Sequence, residues 1–131
     1  MAAPTTKTIV MVEDESAIID LITYLLNAPQ IEIVPCKTGP QGLATIFDRN
    51  PDMVILDVML PGINGWEIYD QVRGDKALQD TPILILSVTH REEFERRENF
   101  GRNNIDAYLT KPFDTPTLRR VVQEMLGVNI W

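Results

Sequence analysis

Five short apolar runs divide this chain, and the segments between them show helical spacing of apolar residues. Three of the runs are continuous rather than alternating, which is typical of strands covered on both faces. Strand followed by helix, repeated five times, predicts a parallel β-sheet with helices on both faces, an α/β fold. The runs are Ile9–Val12, Ile31–Val34, Met53–Leu56, Ile83–Leu86 and Ala107–Leu109.

Four of the segments between the runs carry a clear apolar stripe, whereas the stretch 91–100 has only two large apolar residues. Pro40 and Pro116 fall where a helix should begin, a position that tolerates the missing N–H. Pro35 follows the second run directly, which favours an edge strand over a central one. The stripes are Ile18–Leu26, Leu43–Phe47, Ile68–Val72 and Leu118–Leu126.

The composition fits a globular domain and narrows its partners. The 131 residues are the length of one ordinary domain, and 12 basic against 19 acidic residues give a net charge of −7. This balance argues against binding to nucleic acid or an anionic membrane, because both require a basic patch. One cysteine cannot form an internal disulfide, and no apolar run has the length of a membrane span. We therefore expect a cytoplasmic protein of one domain.

Polar residues that can bind ligands or take part in a reaction follow four of the five runs. Glu13 and Asp14 follow the first run and Asp57 the third, while Ser87 follows the fourth and Lys111 comes shortly after the fifth. Because ligands of open α/β sheets bind at the carboxyl ends of the strands, we expect these side chains to converge on one rim. The second run is followed by no comparable group, as expected for an edge strand.

Carboxylates crowded at this rim repel one another. At about 4 Å and an effective dielectric constant near 20, each pair costs about 4 kcal/mol, so a compensating cation is expected. Oxygen ligands with room for water indicate Mg²⁺ better than zinc or a buried calcium cage. Lys111 can reach an anion and Ser87 can donate a hydrogen bond. The simplest anion to place between them is a phosphoryl group, attacked by an aspartate.

Three motifs along the chain are similar to those of the receiver domain of bacterial two-component response regulators. They are Val12–Glu15, Leu56–Gly65 and Tyr108–Phe113. The resemblance implies a receiver domain over residues 8–127, an N-terminal extension over residues 1–7 and a C-terminal tail over residues 128–131. It also implies a flavodoxin-like, or CheY-like, five-stranded parallel sheet in the order 2-1-3-4-5.

The resemblance implies a role for each acidic residue of the rim. Asp57 corresponds to the phosphoacceptor, Asp14 to a direct Mg²⁺ ligand, and Glu13 to a ligand that acts mainly through water. The backbone carbonyl of Met59 would complete the protein's share of the metal shell. Lys111 would hold one phosphoryl oxygen.

Further positions complete the implied site, and two of them depart from the family pattern. Ser87 would hydrogen-bond a second phosphoryl oxygen, and Tyr108 stands where the family has its switch aromatic. The Lys111–Pro112 bond is cis in the family. Val88 replaces the usual small residue, so we expect its bulk to narrow phosphate access and slow both phosphorylation and hydrolysis. The segment 101–106 is slightly longer than the usual loop.

The implied function is a phosphoacceptor switch rather than an enzyme with a separate substrate. Asp57 would take a phosphoryl group from a sensor histidine kinase or phosphotransfer protein, and the chain would assist its own phosphorylation and dephosphorylation. The phosphate would draw Ser87 inward, and Tyr108 would turn into the vacated space. The surface of the fourth helix, fifth strand and fifth helix would then change, and we expect a homodimer or another partner to dock there.

Three other functions share parts of this pattern. A flavodoxin needs a hydroxyl- and glycine-rich phosphate cradle after the first strand, where this chain has acids. A phosphatase of the haloacid dehalogenase type would show Asp-x-Asp after that strand, which this sequence lacks. A degenerate receiver that only docks partners would not need the intact acids and lysine. We expect either a stand-alone receiver or a piece of a longer regulator or hybrid kinase, and the apolar end at Trp131 slightly favours the piece.

Overall fold

A five-stranded parallel sheet in the order β2-β1-β3-β4-β5 forms the centre of the molecule, which confirms the order that the family resemblance implied. The computed structural model describes residues 6–87 and 105–131. The strands are β1 Lys7–Val12, β2 Ile31–Cys36, β3 Met53–Asp57, β4 Ile83–Ser87 and β5 Asp106–Thr110. The helices within those ranges are α1 Ser16–Leu25, α2 Gly39–Arg49, α3 Gly65–Gly74 and α4 Thr115–Leu126.

Several sequence-based expectations concern the ends and edges of these elements. The helix predicted around 91–100 lies outside the described residues, so the helix predicted as the fifth is α4 here. Strand β1 begins at Lys7, whose N–H donates to the carbonyl of Gln30 over 2.8 Å. Strand β2 lies at the edge and continues through Pro35, which pairs with Met11. An edge position tolerates a proline because no further strand has to be paired on that side.

Apolar side chains bury both faces of the sheet, and this explains why the apolar runs are continuous. Every residue of β3 and β4 is buried, whereas the edge strand β2 is mostly half-buried or exposed. Helices α1 and α4 cover one face, packing through residues such as Ile22 and Leu118. Helices α2 and α3 cover the other, through residues such as Ile46 and Ile68. Burying each such side chain stabilises the fold by about 1.5–3 kcal/mol.

Side-chain caps fix where three of the helices begin. The hydroxyl of Thr38 accepts from the N–H of Gln41 at the start of α2, and Asn64 caps α3 in a similar way. Asp114 caps α4 by accepting from the N–H of Thr117 over 2.7 Å. Prolines stand in the first turns of α2 and α4, as predicted from the sequence. These caps satisfy N–H groups that have no partner within the helix.

A buried ion pair joins the end of α3 to the start of β5. It lies at the amino-terminal ends of the strands, away from their carboxyl ends. Arg73 Nη2 lies 2.5 Å from Asp106 Oδ1, and Arg73 Nη1 donates to the carbonyl of Thr81 over 2.6 Å. The hydroxyl of Tyr69 donates to the other oxygen of Asp106 over 2.8 Å.

Within the described ranges, no helix combines the length and the apolar character needed to cross a membrane.

Candidate functional site

Three carboxylates meet at the carboxyl ends of β1 and β3. Glu13 and Asp14 directly follow β1, Asp57 is the last residue of β3, and the two strands are neighbours in the sheet. One carboxylate oxygen of each residue lies within 4.8 Å of those of the other two. Glu13 is 0% exposed and Asp57 is 4% exposed, while Asp14 is half-buried. The sequence therefore predicted this cluster correctly from strand ends alone.

Lys111 brings an ammonium group into the same cluster. Its Nζ lies 3.1 Å from Glu13 Oε2 and 3.3 Å from Asp57 Oδ2, and the lysine side chain is only 14% exposed. The backbone N–H of Lys111 donates to the carbonyl of Ser87 over 2.8 Å, which fixes the start of the loop after β5. The peptide bond between Lys111 and Pro112 is cis, as the resemblance implied.

The electrostatics of the cluster favour the binding of a cation. Burial, followed by the negative charge of Asp57, raises the pKa of Glu13 to about 7, although Lys111 opposes the rise. Burial alone would lower the pKa of Lys111, but attraction to Asp57 and Glu13 outweighs it and raises that pKa. With all three carboxylates ionised, one ammonium group leaves the cluster with surplus negative charge. An all-oxygen donor set of this kind suits Mg²⁺.

The loop after β3 turns back across Asp57. The N–H of Met59 donates to Asp57 Oδ1 over 2.9 Å, and the Met59 side chain is 64% exposed. Gly65 N–H donates to the carbonyl of Val58 over 3.2 Å. A Cβ added to Gly65 would lie 2.5 Å from both the Asp57 carbonyl oxygen and Val58 Cα, so only glycine allows this approach. The loop and the start of α3 thereby hold the carboxylate of Asp57 in place.

The remaining predicted residues lie on the neighbouring strands. Ser87 ends β4, is fully buried and pairs with Thr110 of β5. Tyr108 is half-buried in β5, pairs with Ile85 and packs on the face covered by α2 and α3. Val88 and most of the loop 101–106 lie outside the described residues, so their predicted effects stay predictions.

The junction after β2 also contributes to the site, although the sequence indicated no comparable group there. The N–H of Glu13 donates to the carbonyl of Cys36 over 2.9 Å. Lys37 Nζ donates to the hydroxyl of Ser16 over 2.9 Å, at the start of α1. A lysine one residue beyond the strand is the only sequence signal of this contact, because the carbonyl bond is independent of side-chain identity.

Comparisons with known proteins identify a family and agree with the fold. The family model described as the response regulator receiver domain matches residues 9–123. The phosphate regulon transcriptional regulatory protein PhoB of Rhizobium meliloti (strain 1021) is 36% identical over 118 residues, which cover 90% of this chain and 51% of that protein. The chain thus spans about half the length of this curated relative.

Solved structures show the same architecture. A putative response regulator from Chloroflexus aurantiacus has a TM-score of 0.82 and 28% identity, covering 94% of this chain and 99% of the other. The receiver domain of a sensor histidine kinase from Pseudomonas aeruginosa PAO1, solved with magnesium coordinated in its active site cleft, has a TM-score of 0.80. It is 24% identical, and the match covers 94% of this chain and 99% of that one.

Proposed function

The chain belongs to the response regulator receiver domain family, and from that premise we propose that Asp57 is its phosphoacceptor. Receiver domains are phosphoacceptor switches that interact with histidine kinases or phosphotransfer proteins. The observation that carries the proposal is the position of the Asp57 carboxylate, which is buried between two other carboxylates and 3.3 Å from the Lys111 ammonium. Neither a flavodoxin nor a dehalogenase-type phosphatase accounts for this arrangement together with the family match.

The proposed reaction is a phosphoryl transfer from a phosphohistidine of the partner. A carboxylate oxygen of Asp57 forms a bond to phosphorus while the bond from phosphorus to the imidazole nitrogen breaks. The imidazole keeps the electron pair of that bond and takes up a proton. The product is an acyl phosphate on Asp57, and hydrolysis of this bond by water returns the carboxylate and inorganic phosphate. Positioning and charge neutralisation supply most of the acceleration in such transfers.

The acidic residues would hold the metal ion that this chemistry uses. Asp14 and Asp57 would be direct ligands, Glu13 would act mainly through water, and Met59 would contribute its backbone carbonyl. When bound, Mg²⁺ neutralises negative charge on the phosphoryl oxygens. The all-oxygen donor set, with one carboxylate oxygen of each residue within 4.8 Å of the others, supports this assignment.

Lys111 and Ser87 would stabilise the phosphoryl group through hydrogen bonds to its oxygens. The Lys111 ammonium already lies beside Asp57, so it can move its hydrogen bond from the carboxylate to an incoming phosphoryl oxygen. Ser87 ends the strand next to β3 and would donate a hydrogen bond to a second oxygen. Val88 would narrow access to the phosphate.

The proposal extends to the switch and the domain limits. Ser87 would move towards the phosphate and Tyr108 would turn inward, changing the surface formed by the segment 91–100, β5 and α4, where a homodimer would form. We also propose that residues 8–127 are the receiver unit, with an extension before it and a tail over 128–131. A cytoplasmic location and the absence of direct nucleic-acid binding by this chain are part of the same proposal.

Labelling with a small phosphodonor tests the phosphoacceptor directly. Acetyl phosphate with Mg²⁺ should add one phosphoryl group to the intact protein, detected by mass spectrometry, and omission of Mg²⁺ should prevent it. Asp57→Asn should abolish the addition, whereas Asp48→Asn, an exposed acid on α2, should leave it unchanged. Equal labelling of the Asp57→Asn variant would refute the assignment. Failure of the wild-type protein to label would favour a receiver that only docks partners.

A further inference from the structure

The start of α2 packs unusually closely against the loop that follows β3. A Cβ placed on Gly39 would lie 1.5 Å from Ile63 Cγ2 and 3.0 Å from Ile63 Cβ. No real Cβ contact is as short as the first of these distances, so the Ile63 side chain occupies the space that a side chain at position 39 would need. Ile63 is half-buried and packs on the apolar face covered by α2 and α3. Gly39 therefore forms a notch that holds Ile63.

The loop held by this notch carries the proposed metal-binding carbonyl. Ile63 lies four residues after Met59, whose N–H donates to Asp57 Oδ1 over 2.9 Å. Gly62, between them, has a φ of 87° and open space around the position of a Cβ. The side chain of Ile63 is thus an inward anchor for a loop whose tip is exposed at Met59 and Gly62.

The same junction also contacts the acidic loop after β1. The carbonyl of Cys36 accepts from the N–H of Glu13 over 2.9 Å, and Lys37 Nζ donates to the hydroxyl of Ser16 over 2.9 Å. The two residues bonded in this way flank Asp14, the proposed direct ligand. Residues 36–39 therefore contact both loops that carry the proposed metal ligands, although they contribute no ligand themselves.

Local hydrogen bonds and close packing make this junction a firm support. Thr38 caps α2 by accepting from the N–H of Gln41 over 3.2 Å, and the Gln41 side chain accepts from the N–H of Lys37 over 3.2 Å. One turn further along α2, a Cβ on Gly42 would lie 2.6 Å from a methyl carbon of Val12. Glycine at this position lets α2 approach β1 closely. The start of the helix is thus fixed relative to the sheet.

We propose that residues 36–39, the β2–α2 junction, are a positioning element that sets the spacing of the two metal-binding loops, with Ile63 seated in the Gly39 notch as its main contact to the loop after β3. The inference rests on the proposed function, because it assumes that Asp14, Asp57 and Met59 hold Mg²⁺. Residues that orient metal ligands commonly change affinity by about 10–100-fold when they are altered. The Gly39–Ile63 contact should act in this way.

Paired substitutions on the two sides of the notch test the proposal. Gly39→Ala should displace Ile63 and raise the Mg²⁺ Kd by about tenfold, and Ile63→Ala should raise it as well by loosening the loop. In the Gly39→Ala/Ile63→Ala double variant, the methyl carbon 1.5 Å from the new Cβ is removed. The 3.0 Å contact between the two Cβ atoms remains, and a shift of a few tenths of an ångström relieves it while the new Cβ partly fills the notch. The double variant should therefore bind Mg²⁺ more tightly than either single variant, although it has lost three side-chain carbons of the half-buried Ile63.

Calorimetric titration with Mg²⁺ measures the Kd, and hydrogen exchange of the amides at 58–64 without metal reports loop order independently. Gly74→Ala is the matched control, because it lies at the exposed end of α3 with open space around its Cβ, and it should match the wild type. If Gly39→Ala does not fold, Ile63→Ala and the double variant still test the recovery. Wild-type affinity in the single variants, or no recovery in the double variant, overturns the positioning role. A wild-type protein that binds no Mg²⁺ instead refutes the proposed function.

Discussion

Replacing Asp57 by asparagine should stabilise the metal-free protein, even though it removes the residue on which the proposed chemistry depends. The carboxylate of Asp57 is buried within 4.8 Å of carboxylate oxygens of Glu13 and Asp14. The positive charge that offsets this repulsion among the described residues is the Lys111 ammonium, 3.3 Å away. Asparagine keeps the shape of the side chain and an oxygen that can accept from the N–H of Met59, so the substitution changes mainly the charge.

The expected gain follows from these distances. At an effective dielectric constant of about 20, two charges at the 4.8 Å upper limit of the cluster repel by about 3.5 kcal/mol, and an ammonium 3.3 Å away attracts by about 5 kcal/mol. Above about pH 8, where Glu13 with its pKa of about 7 is ionised, Asp57 experiences the repulsion twice and the attraction once. Because Asp14 is only half-buried, its share is smaller, and we expect a net gain of about 1–2 kcal/mol in the free energy of unfolding. Relief from burying the charge acts in the same direction.

Urea denaturation at about pH 8.5 and low salt, where Glu13 is ionised, measures this gain with EDTA or with Mg²⁺. Mg²⁺ at 100 times its Kd should stabilise the wild type by about 2.7 kcal/mol and the Asp57→Asn variant by much less. The order of stability should therefore reverse on adding metal. Asp20→Asn, an exposed acid on α1, controls for the general effect of lowering the net charge and should change little.

Two results would refute this reasoning. An Asp57→Asn variant less stable than the wild type in EDTA would mean that Lys111 compensates the crowded carboxylates more fully than the distances indicate. An equal gain in Asp20→Asn would mean that the effect comes from the net charge of −7 rather than from the site.

Two further predictions concern hydrogen bonds away from the cluster. Hydrogen bonding from the Thr117 side chain, together with its backbone N–H, lowers the pKa of Asp114. The cap therefore stabilises the fold above the usual pKa of 3.8, and this stabilisation is lost as pH falls through the lowered folded value. Asp114→Ala should reduce Tm at pH 6, and thermal melts should show the difference shrinking in strong acid. Tyr69→Phe removes a hydroxyl bonded to buried Asp106 and should cost about 1–2 kcal/mol in urea denaturation at pH 7. Burial, reinforced by Asp106, raises the pKa of Tyr69 from 10.0 to about 12. The wild type should therefore lose stability as pH rises from about 10 to about 12, because the hydroxyl ionises more easily in the unfolded chain. Tyr69→Phe has no hydroxyl to ionise and should not show this contribution to the loss.

The sheet was predictable from the sequence because a strand that is buried on both faces needs apolar residues at almost every position. Strands β3 and β4 are buried at every position, and each appears as an unbroken apolar run followed by a polar residue. The apolar pattern of the edge strand β2 is weaker, because part of that strand is exposed to solvent. Its predicted run stopped at Val34, whereas β2 continues through Pro35 and Cys36 by pairing its backbone with β1.

The candidate site was predictable to the same extent, because parallel strands deliver their final residues to one edge. That rule brought Glu13, Asp14 and Asp57 together correctly, and Lys111 as well. It could not reveal the fit between Gly39 and Ile63. These residues are 24 positions apart, and their contact depends on how closely α2 approaches the loop after β3. A glycine near the start of a helix has too many explanations for sequence alone to indicate this one.

Repulsion within the carboxylate cluster lowers the stability of the metal-free fold, and the contacts around the cluster keep the carboxylates together against it. Buried Glu13 and Asp57 repel each other, so unrestrained loops would relax by moving the two carboxylates apart or into solvent. Lys111 reduces this tendency, and backbone bonds to Cys36 and from Met59 resist it without contributing charge. A cation that enters such a site gains attraction to carboxylates that are already in place. The strain retained in the metal-free protein therefore becomes binding energy for the ion, which explains why a fold can keep an arrangement that lowers its own stability.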